Sequence, residues 1–335
     1  MAKSVSIKDI AQAAGVSPST VSRALHHDPR ISAQTAARIR RLAREMDYTP
    51  SILARSLVTK DTATIGMIIT HAADPFLARL VLGVEETARR NGYSVFLSSS
   101  YGNAEREEEV VRSFYERRVS GVIVTGSKID AGYLKLCQRF PVPVVLTNCH
   151  TYPYSVLTDN RSGAEQAVAH LVQLGHRRIA YAANRASPRA NNDRFAGYRA
   201  VLARHQIPLD EALIIQGDGT LAGGARIAQQ LLDLSPPPTA IFCFNDVTAL
   251  GVLHALAQAG WSVPDRCSVV GFDDLEIAAF SCPPLTTVRQ PSYHLGQCAM
   301  RMALKLIQGQ DDVQPEVLAA ELVVRQTSGP APVPQ

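Results

Sequence analysis

The chain has 335 residues, more than one ordinary domain needs, and 46% hydrophobic with 19% charged residues is the balance of well-packed globular units rather than of a disordered chain. No stretch approaches the ~18 apolar residues of a membrane span, and the start, MAKSVSIKDIAQAAGV, lacks the apolar centre of a signal peptide, so a cytoplasmic protein with no membrane partner is expected. The net charge of +4 is uneven, because residues 1–60 carry 10 Lys and Arg against 4 Asp and Glu while residues 61–335 carry 24 against 26. A basic head thus precedes a near-neutral body. Such a field suits a polyanion, although a solvated charged surface would look the same by charge alone.

In the head, Ile7, Ile10, Ala11 and Ala14 recur at helical spacing and predict a helix over Ile7–Ala14. Gly15 ends it, since glycine enters the left-handed C-terminal conformation without a Cβ penalty. Ser17 and Pro18 supply the cap and first-turn proline of a second helix. Two helices about three residues apart are the helix-turn-helix pattern, whose second helix enters the DNA major groove. Val21 and Leu25 are expected to face inward there, leaving Pro18, Ser19, Ser22 and Arg23 outward. Arg23 suits a bidentate contact to guanine; its alternative is an exposed surface arginine. A third helix over about Ala33–Met46 places Ile39, Leu42, Ala43 and Met46 on one face, with Arg38, Arg41 and Arg44 on the other. SILARSLVTKDTA then has helical character but is too short to stand alone, so it is expected to fold only when two copies pair on DNA.

From Thr64 the pattern changes. TIGMII, YSVFLSS, GVIVTG and PVVLTN alternate with amphipathic stretches at Phe76–Arg90 and Glu105–Arg118. A second series follows: RIAYAA, LIIQGD, TAIFCF and SVVGFD alternate with Asn191–His205, Gly223–Leu234 and Asp246–Ala259. Continuously apolar strands between helices predict parallel sheets covered on both faces, here in two doubly wound α/β lobes. A helix over about Tyr293–Gln308 and a strand, ELVVRQ, complete the chain. Ligands of such sheets bind beyond the carboxyl ends of the strands. That rule selects Asn148, Asn245, Asp246, Asp273 and Asp274, with Arg194 at the start of its helix. Asp246 and Asp274 are read first as helix caps and loop ties.

The runs IKDIAQAAGVSPSTVSRAL and AARIRRLAREMDYTPSILARSLVTKDTATIGMI strongly resemble the lactose and galactose repressor family of bacterial transcription regulators, and the likeness continues almost to the C-terminus. The resemblance implies an all-α helix-turn-helix domain over 1–49, a hinge over 50–62, and a periplasmic-binding-protein-like body over 63–330. In that body a first lobe of about 63–160 and 291–321 alternates with a second of about 161–290 and 322–330. It places Ser17, Thr20 and Ser22 near phosphates, Pro18, Ser19 and Arg23 on operator bases, and Leu57, with Ala54 beside it, as a minor-groove wedge. For the effector it implies Phe76, Asn148, Arg194 from DRFAGY, Asn245 from FND, Asp273 from GFDD and Gln290 from TTVRQP.

An arginine opposed to a carboxylate suits vicinal hydroxyls or a carboxylate, so a sugar or sugar acid is the expected effector. Many relatives place an aromatic where QGDGT has Gly219, which implies a larger ligand or one that is not a pyranose with an apolar face, and the segment Arg185–Asn192, with Arg189 and Asn192, is expected to compensate. The partners implied are palindromic operator DNA and a second copy of the chain. The Pro-rich end lacks the leucine heptads of a tetramer, which favours a dimer. No enzyme is expected: GDGTLAGG lacks G-x-G-x-x-G spacing, and neither a G-x-S-x-G elbow nor H-E-x-x-H occurs. A solute-binding protein shares the body's architecture but not the basic head. Six scattered cysteines without C-x-x-C spacing predict no metal or cofactor.

Overall fold

A computed structural model describes residues 5–25, 28–48, 62–129 and 132–333. The chain forms two compact units that part between Thr62 and Ala63. Ala54, Leu57 and the rest of the expected hinge up to residue 61, that is 50–61, lie outside the described residues.

The head is a three-helix unit of α1 (Ile7–Ala14), α2 (Pro18–Leu25) and α3 (Ala33–Glu45). Asp9 accepts a hydrogen bond from Ser6 N at 2.8 Å, closing the start of α1, and Gly15 ends it at φ 62°. Ser17 Oγ accepts from Thr20 N at 3.2 Å and so caps α2. Ile10, Ala14, Val21, Ala24, Ile39 and Ala43 form the core. Leu25, expected inside, is only half-buried; the fully buried neighbour of Val21 is Ala24, because a small side chain lets the short helices approach. Leu42 and Met46 are also half-buried rather than central. Arg38 is exposed but donates to Ala14 O at 2.8 Å, satisfying a carbonyl that the end of α1 leaves open.

The body holds two six-stranded sheets. The first contains β1 (Thr64–Ile69), β2 (Ser94–Ser99), β3 (Gly121–Thr125), β4 (Val144–Thr147), β5 (Ser155–Thr158) and β11 (Glu316–Leu318), in the order β11-β5-β4-β3-β1-β2. The second contains β6 (Ile179–Asn184), β7 (Ile214–Gly217), β8 (Ala240–Cys243), β9 (Ser268–Asp273), β10 (Thr286–Arg289) and β12 (Glu321–Val323), in the order β12-β10-β9-β8-β6-β7. All ladders are parallel except β10–β12, an antiparallel edge pair. β5, β10, β11 and the helices Gly132–Arg139, Asn160–Gln173 and Glu276–Phe280 add to the elements expected from sequence. The expectation of two covered faces fails at β2, where Phe96 and Leu97 are 48% and 47% exposed on successive, oppositely directed positions of an edge strand. Among the described residues no helix is long and apolar enough to cross a membrane.

The chain passes between the sheets three times, after β5, after β10 and between β11 and β12. The returning helix, Ser292–Ile307, packs on Pro75–Arg90 with backbones in contact. A Cβ on Gly83 would stand 2.1 Å from Tyr293 O, and one on Gly296 would stand 2.2 Å from Leu80 O.

The C-terminal stretch is fixed by two histidines. His176 is fully buried, with its ring nitrogens 3.0 Å from Thr239 Oγ1 and 3.0 Å from Gly329 O, and His170 lies 2.9 Å from Ser328 Oγ. Burial holds both imidazoles below their usual pKa. The folded state therefore favours neutral rings, and the unfolded chain takes up protons first as pH falls. Stability from this pair is complete above the unfolded value of ~6.5 and is lost as pH drops below it. Urea unfolding midpoints are expected to fall between pH 7.5 and 5.5, and less steeply in His176→Gln; equal slopes in both proteins would contradict this account.

Candidate functional site

On the head, Ser17, Pro18, Ser19 and Arg23 are exposed, and Thr20 and Ser22 are half-buried. Ser17 Oγ lies 2.8 Å from Ser19 Oγ and 2.9 Å from Thr20 Oγ1. This hydroxyl group sits where the first turn of α2 points backbone N–H groups outward, an arrangement suited to a phosphate. Arg23 stands one to two turns further along the same helix, and Arg41 and Arg44 are exposed on α3.

In the body, Arg194 dominates. Its helix, Pro188–Arg204, carries it into the second-lobe interior, where it is only 4% exposed. Nε donates to Asn160 Oδ1 at 3.0 Å, Nη1 donates to Phe244 O, and the guanidinium lies over the rings of Phe272 (3.7 Å) and Phe244 (4.4 Å). Nη2 is 3.9 Å from Asp273 Oδ1, close enough for charge attraction but too far for a hydrogen bond. Burial lowers the Arg194 pKa and raises that of the Asp273 carboxyl well above its ordinary range; in each case the partner's charge opposes the shift. Asp273 ends β9 at φ 128° and accepts from Gln290 Nε2 at 2.6 Å, while the buried Gln290 Oε1 has no hydrogen-bond partner.

The other expected effector residues are differently placed. Phe76 is half-buried against the first-lobe core. Asn148 Oδ1 is already engaged, accepting from Thr158 N at 2.7 Å. Asn245 uses both ends of its amide locally: Oδ1 accepts from Thr248 N at 2.9 Å and Nδ2 donates to Gly219 O at 3.2 Å. Asp246 accepts from Leu275 N at 2.8 Å, and Asp274 pairs with Arg325 and Arg289 at 2.6 and 2.7 Å, so both tie loops together. Arg194, Asp273 and Gln290 are the residues the structure groups. Asn160, Phe244 and Phe272 join them, and no local sequence signal marks those three. Asp74 caps its helix, accepting from Phe76 N at 3.0 Å; burial raises its pKa, and the charge of Arg194 acts against that shift.

Gly219 adopts φ 79°, and a Cβ there would stand 2.5 Å from Asn184 Nδ2, so a side chain at this position would have to displace that amide. Arg189 instead reaches between the lobes to donate to Ser127 O at 2.9 Å, whereas Asn192 is exposed. Lys128 Nζ donates to Ala186 O at 2.6 Å, and His150 Nε2 lies 3.2 Å from Asp193 Oδ2. Buried Glu107 positions the first-lobe side of this contact, accepting from Ser127 Oγ (2.5 Å), Lys128 N (3.0 Å) and Tyr133 OH (2.8 Å). An open depression of about 490 Å³ beyond β6 and β7, lined by Arg185, Gln216, Asp218 and Arg226 among others, includes none of the expected effector residues. Asp218 and Arg226 pair there at 2.7 Å, so the buried, loosely paired polar group lies around Arg194 and not in this depression.

A helix-turn-helix head joined to a two-lobed α/β body defines a transcription regulator that senses a small molecule, not an enzyme. The chain belongs to the lacI family of bacterial regulatory proteins, and it is a DNA-binding repressor. Residues 6–51 match that family, and residues 168–328 match the periplasmic binding protein-like domain. The chain is 34% identical over 323 residues to the HTH-type transcriptional repressor CytR of Escherichia coli (strain K12), covering 95% of each chain. It is 33% identical over 328 residues to the HTH-type transcriptional repressor PurR of Photobacterium profundum, covering 96% of this chain and 98% of the relative. The lac repressor dimer bound to operator and the anti-inducer ONPF superposes with a TM-score of 0.91 at 31% identity, over 98% of this chain and 100% of that one. The transcriptional regulator CelR in complex with cellobiose gives 0.74 at 29% identity, over 97% and 100%.

Replacing Arg194 would leave Asp273 as a buried carboxylate with its counter-charge gone, a loss of about 3–5 kcal/mol when one partner of a buried pair is removed. Arg194→Met is expected to lower the urea midpoint strongly, and Arg194→Met with Asp273→Asn to recover part of the loss. Strictly additive effects would show that the two side chains do not interact.

Proposed function

We propose that this repressor is a cytoplasmic homodimer whose two heads hold a palindromic operator and whose body binds a sugar or sugar acid beside Arg194 and Asp273. One observation carries the effector reading. Nη2 of Arg194 and Oδ1 of Asp273 are buried 3.9 Å apart, and Gln290 Oε1 beside them lacks a partner. Buried polar atoms left this way are costly unless a ligand completes them. A vicinal diol offers both a donor for the carboxylate and an acceptor for the guanidinium. The CelR complex with cellobiose and a LacI family regulator of Enterococcus faecium with bound ribose are consistent with a sugar ligand on this fold.

Domain assignment follows the same lines: residues 1–49 contact DNA, 50–62 join head to body, and 63–330 sense the effector and pair the subunits. Ser17, Thr20 and Ser22 hold phosphates, Pro18, Ser19 and Arg23 read bases, and Leu57 with Ala54 enters the minor groove. Phe76, Asn148 and Asn245 are further effector contacts in this proposal, the two asparagines beside the hydrogen bonds they already accept from Thr158 N and Thr248 N. Exposed apolar residues support a second copy of the chain: Phe96, Leu97 and Tyr101 at the β2 edge, and Phe280 (79% exposed) with Ile277 in the second lobe. The lobes' closure couples effector to operator, because an effector that prefers one closure state shifts the population of that state.

A thermal-shift screen against sugars, sugar acids, nucleobases and small carboxylates tests the effector. A ligand at 100 times its dissociation constant adds about 2.7 kcal/mol, so the responding compound should raise the melting temperature of the wild type and not of Asp273→Asn. Stabilisation only by a nucleobase, or by nothing in the set, would reject the sugar reading. On the DNA side, Arg23→Ala is expected to cost about 1–3 kcal/mol at one operator position, read by fluorescence anisotropy on a duplex selected from random sequences. Leu57→Ser should weaken operator binding and leave effector affinity intact; unchanged operator affinity would rule out the wedge.

A further inference from the structure

We infer that His294, Cys298 and Glu316 form a binding site for one divalent cation of the zinc type, built from none of the DNA or effector residues. His294 and Cys298 are four residues apart on the helix Ser292–Ile307 and therefore share a face, and Glu316 opens β11 opposite them. A ring nitrogen, the thiol sulfur and a carboxylate oxygen of the three all lie within 4.8 Å of one another. Cys298 Sγ already donates to Glu316 Oε1 at 3.1 Å. In a tetrahedral zinc site the ligand atoms stand about 3.3–3.6 Å apart, given metal–ligand bonds of about 2.0–2.3 Å. The sulfur–oxygen edge thus exists, and the imidazole of the exposed His294 closes in by side-chain rotation.

The surroundings fit a metal ligand set. His294 Nδ1 lies 3.2 Å from Gln297 Oε1; donating its proton there leaves Nε2 with a free lone pair, the orientation that outer partners give metal-bound imidazoles. Arg301 Nη2 donates to Cys298 Sγ at 3.0 Å, a bond that persists to a metal-bound thiolate and spreads its charge. Thiolate, imidazole and carboxylate together favour zinc over magnesium or calcium, which take oxygen ligands. Three protein ligands leave the fourth position to water.

On binding, the Cys298 S–H bond ionises, its proton passes to solvent, and sulfur–metal and oxygen–metal bonds replace the thiol–carboxylate hydrogen bond. No electron changes hands. The ion would pin β11, the last first-sheet strand before the final crossing, to the returning helix. A search for C-x-x-C pairs misses the group because its ligands follow helical spacing and a strand 18 residues further on.

The test uses full-length protein stripped of metal by chelation, titrated with Zn²⁺ by calorimetry and with Co²⁺ by absorption. One ion per chain is expected, with a thiolate-to-cobalt charge-transfer band that Cys298→Ser abolishes. His294→Ala and Glu316→Gln change exposed side chains, spare the buried thiol, and should each weaken Zn²⁺ binding at least about tenfold. The absence of stoichiometric binding would overturn the proposal. So would a band or affinity that survives these substitutions, because the ion would then reside on one of the other five cysteines.

Discussion

A guanidinium cannot shed its charge as easily as other ionisable groups, so burying Arg194 obliges the protein around it to supply compensation. Asn160 at the start of one helix, the Phe244 carbonyl after β8, and Asp273 with Phe272 on β9 all converge on it. Two aromatic faces add cation–π attraction where water is excluded. The loose 3.9 Å approach of Asp273 leaves this compensation unfinished. A body that solved the problem completely within itself would have nothing left to offer a ligand.

The lobes are joined by contacts of a different character. Arg189 and Lys128 donate to backbone carbonyls of the facing lobe, and His150 meets Asp193. Burial disfavours the charge of both Lys128 and Arg189, so their hydrogen bonds offset a desolvation cost. Each such bond is individually modest, in the range of about 0.5–3 kcal/mol. Opening a few of them is within reach of ligand binding.

Local chemistry made the head readable. Gly15, Ser17 and Pro18 each act within a turn of their own position, so the limits of α1 and the start of α2 follow from composition. The choice between Ala24 and Leu25 does not, because it depends on how closely α2 approaches α1 and α3. In the body, the strand–helix rhythm gives the two sheets, and the rule of strand carboxyl ends finds Asp273. The same rule selects Asn245, whose amide accepts from Thr248 N and donates to Gly219 O, and strand-end position alone does not say that Asp273 sits beside Arg194 while Asn245 caps its helix. Asn160 was out of reach for the opposite reason: its partner is 34 residues away and depends on the packing of two helices. Short strands such as β5 and β11 carry too few residues for periodicity to register.

The backbone contact at Gly83 and Gly296 has a bearing on how the protein is made. The helix Pro75–Arg90 leaves the ribosome first, but the surface it buries belongs to Ser292–Ile307, which is made much later. The edge of the second sheet arrives later still, with β12. Neither lobe can finish its core while these segments are still to come, so long-range contacts must wait and the body completes folding only once β12 has emerged. The basic head, whose apolar core is drawn from residues between Val5 and Tyr48, has no such delay.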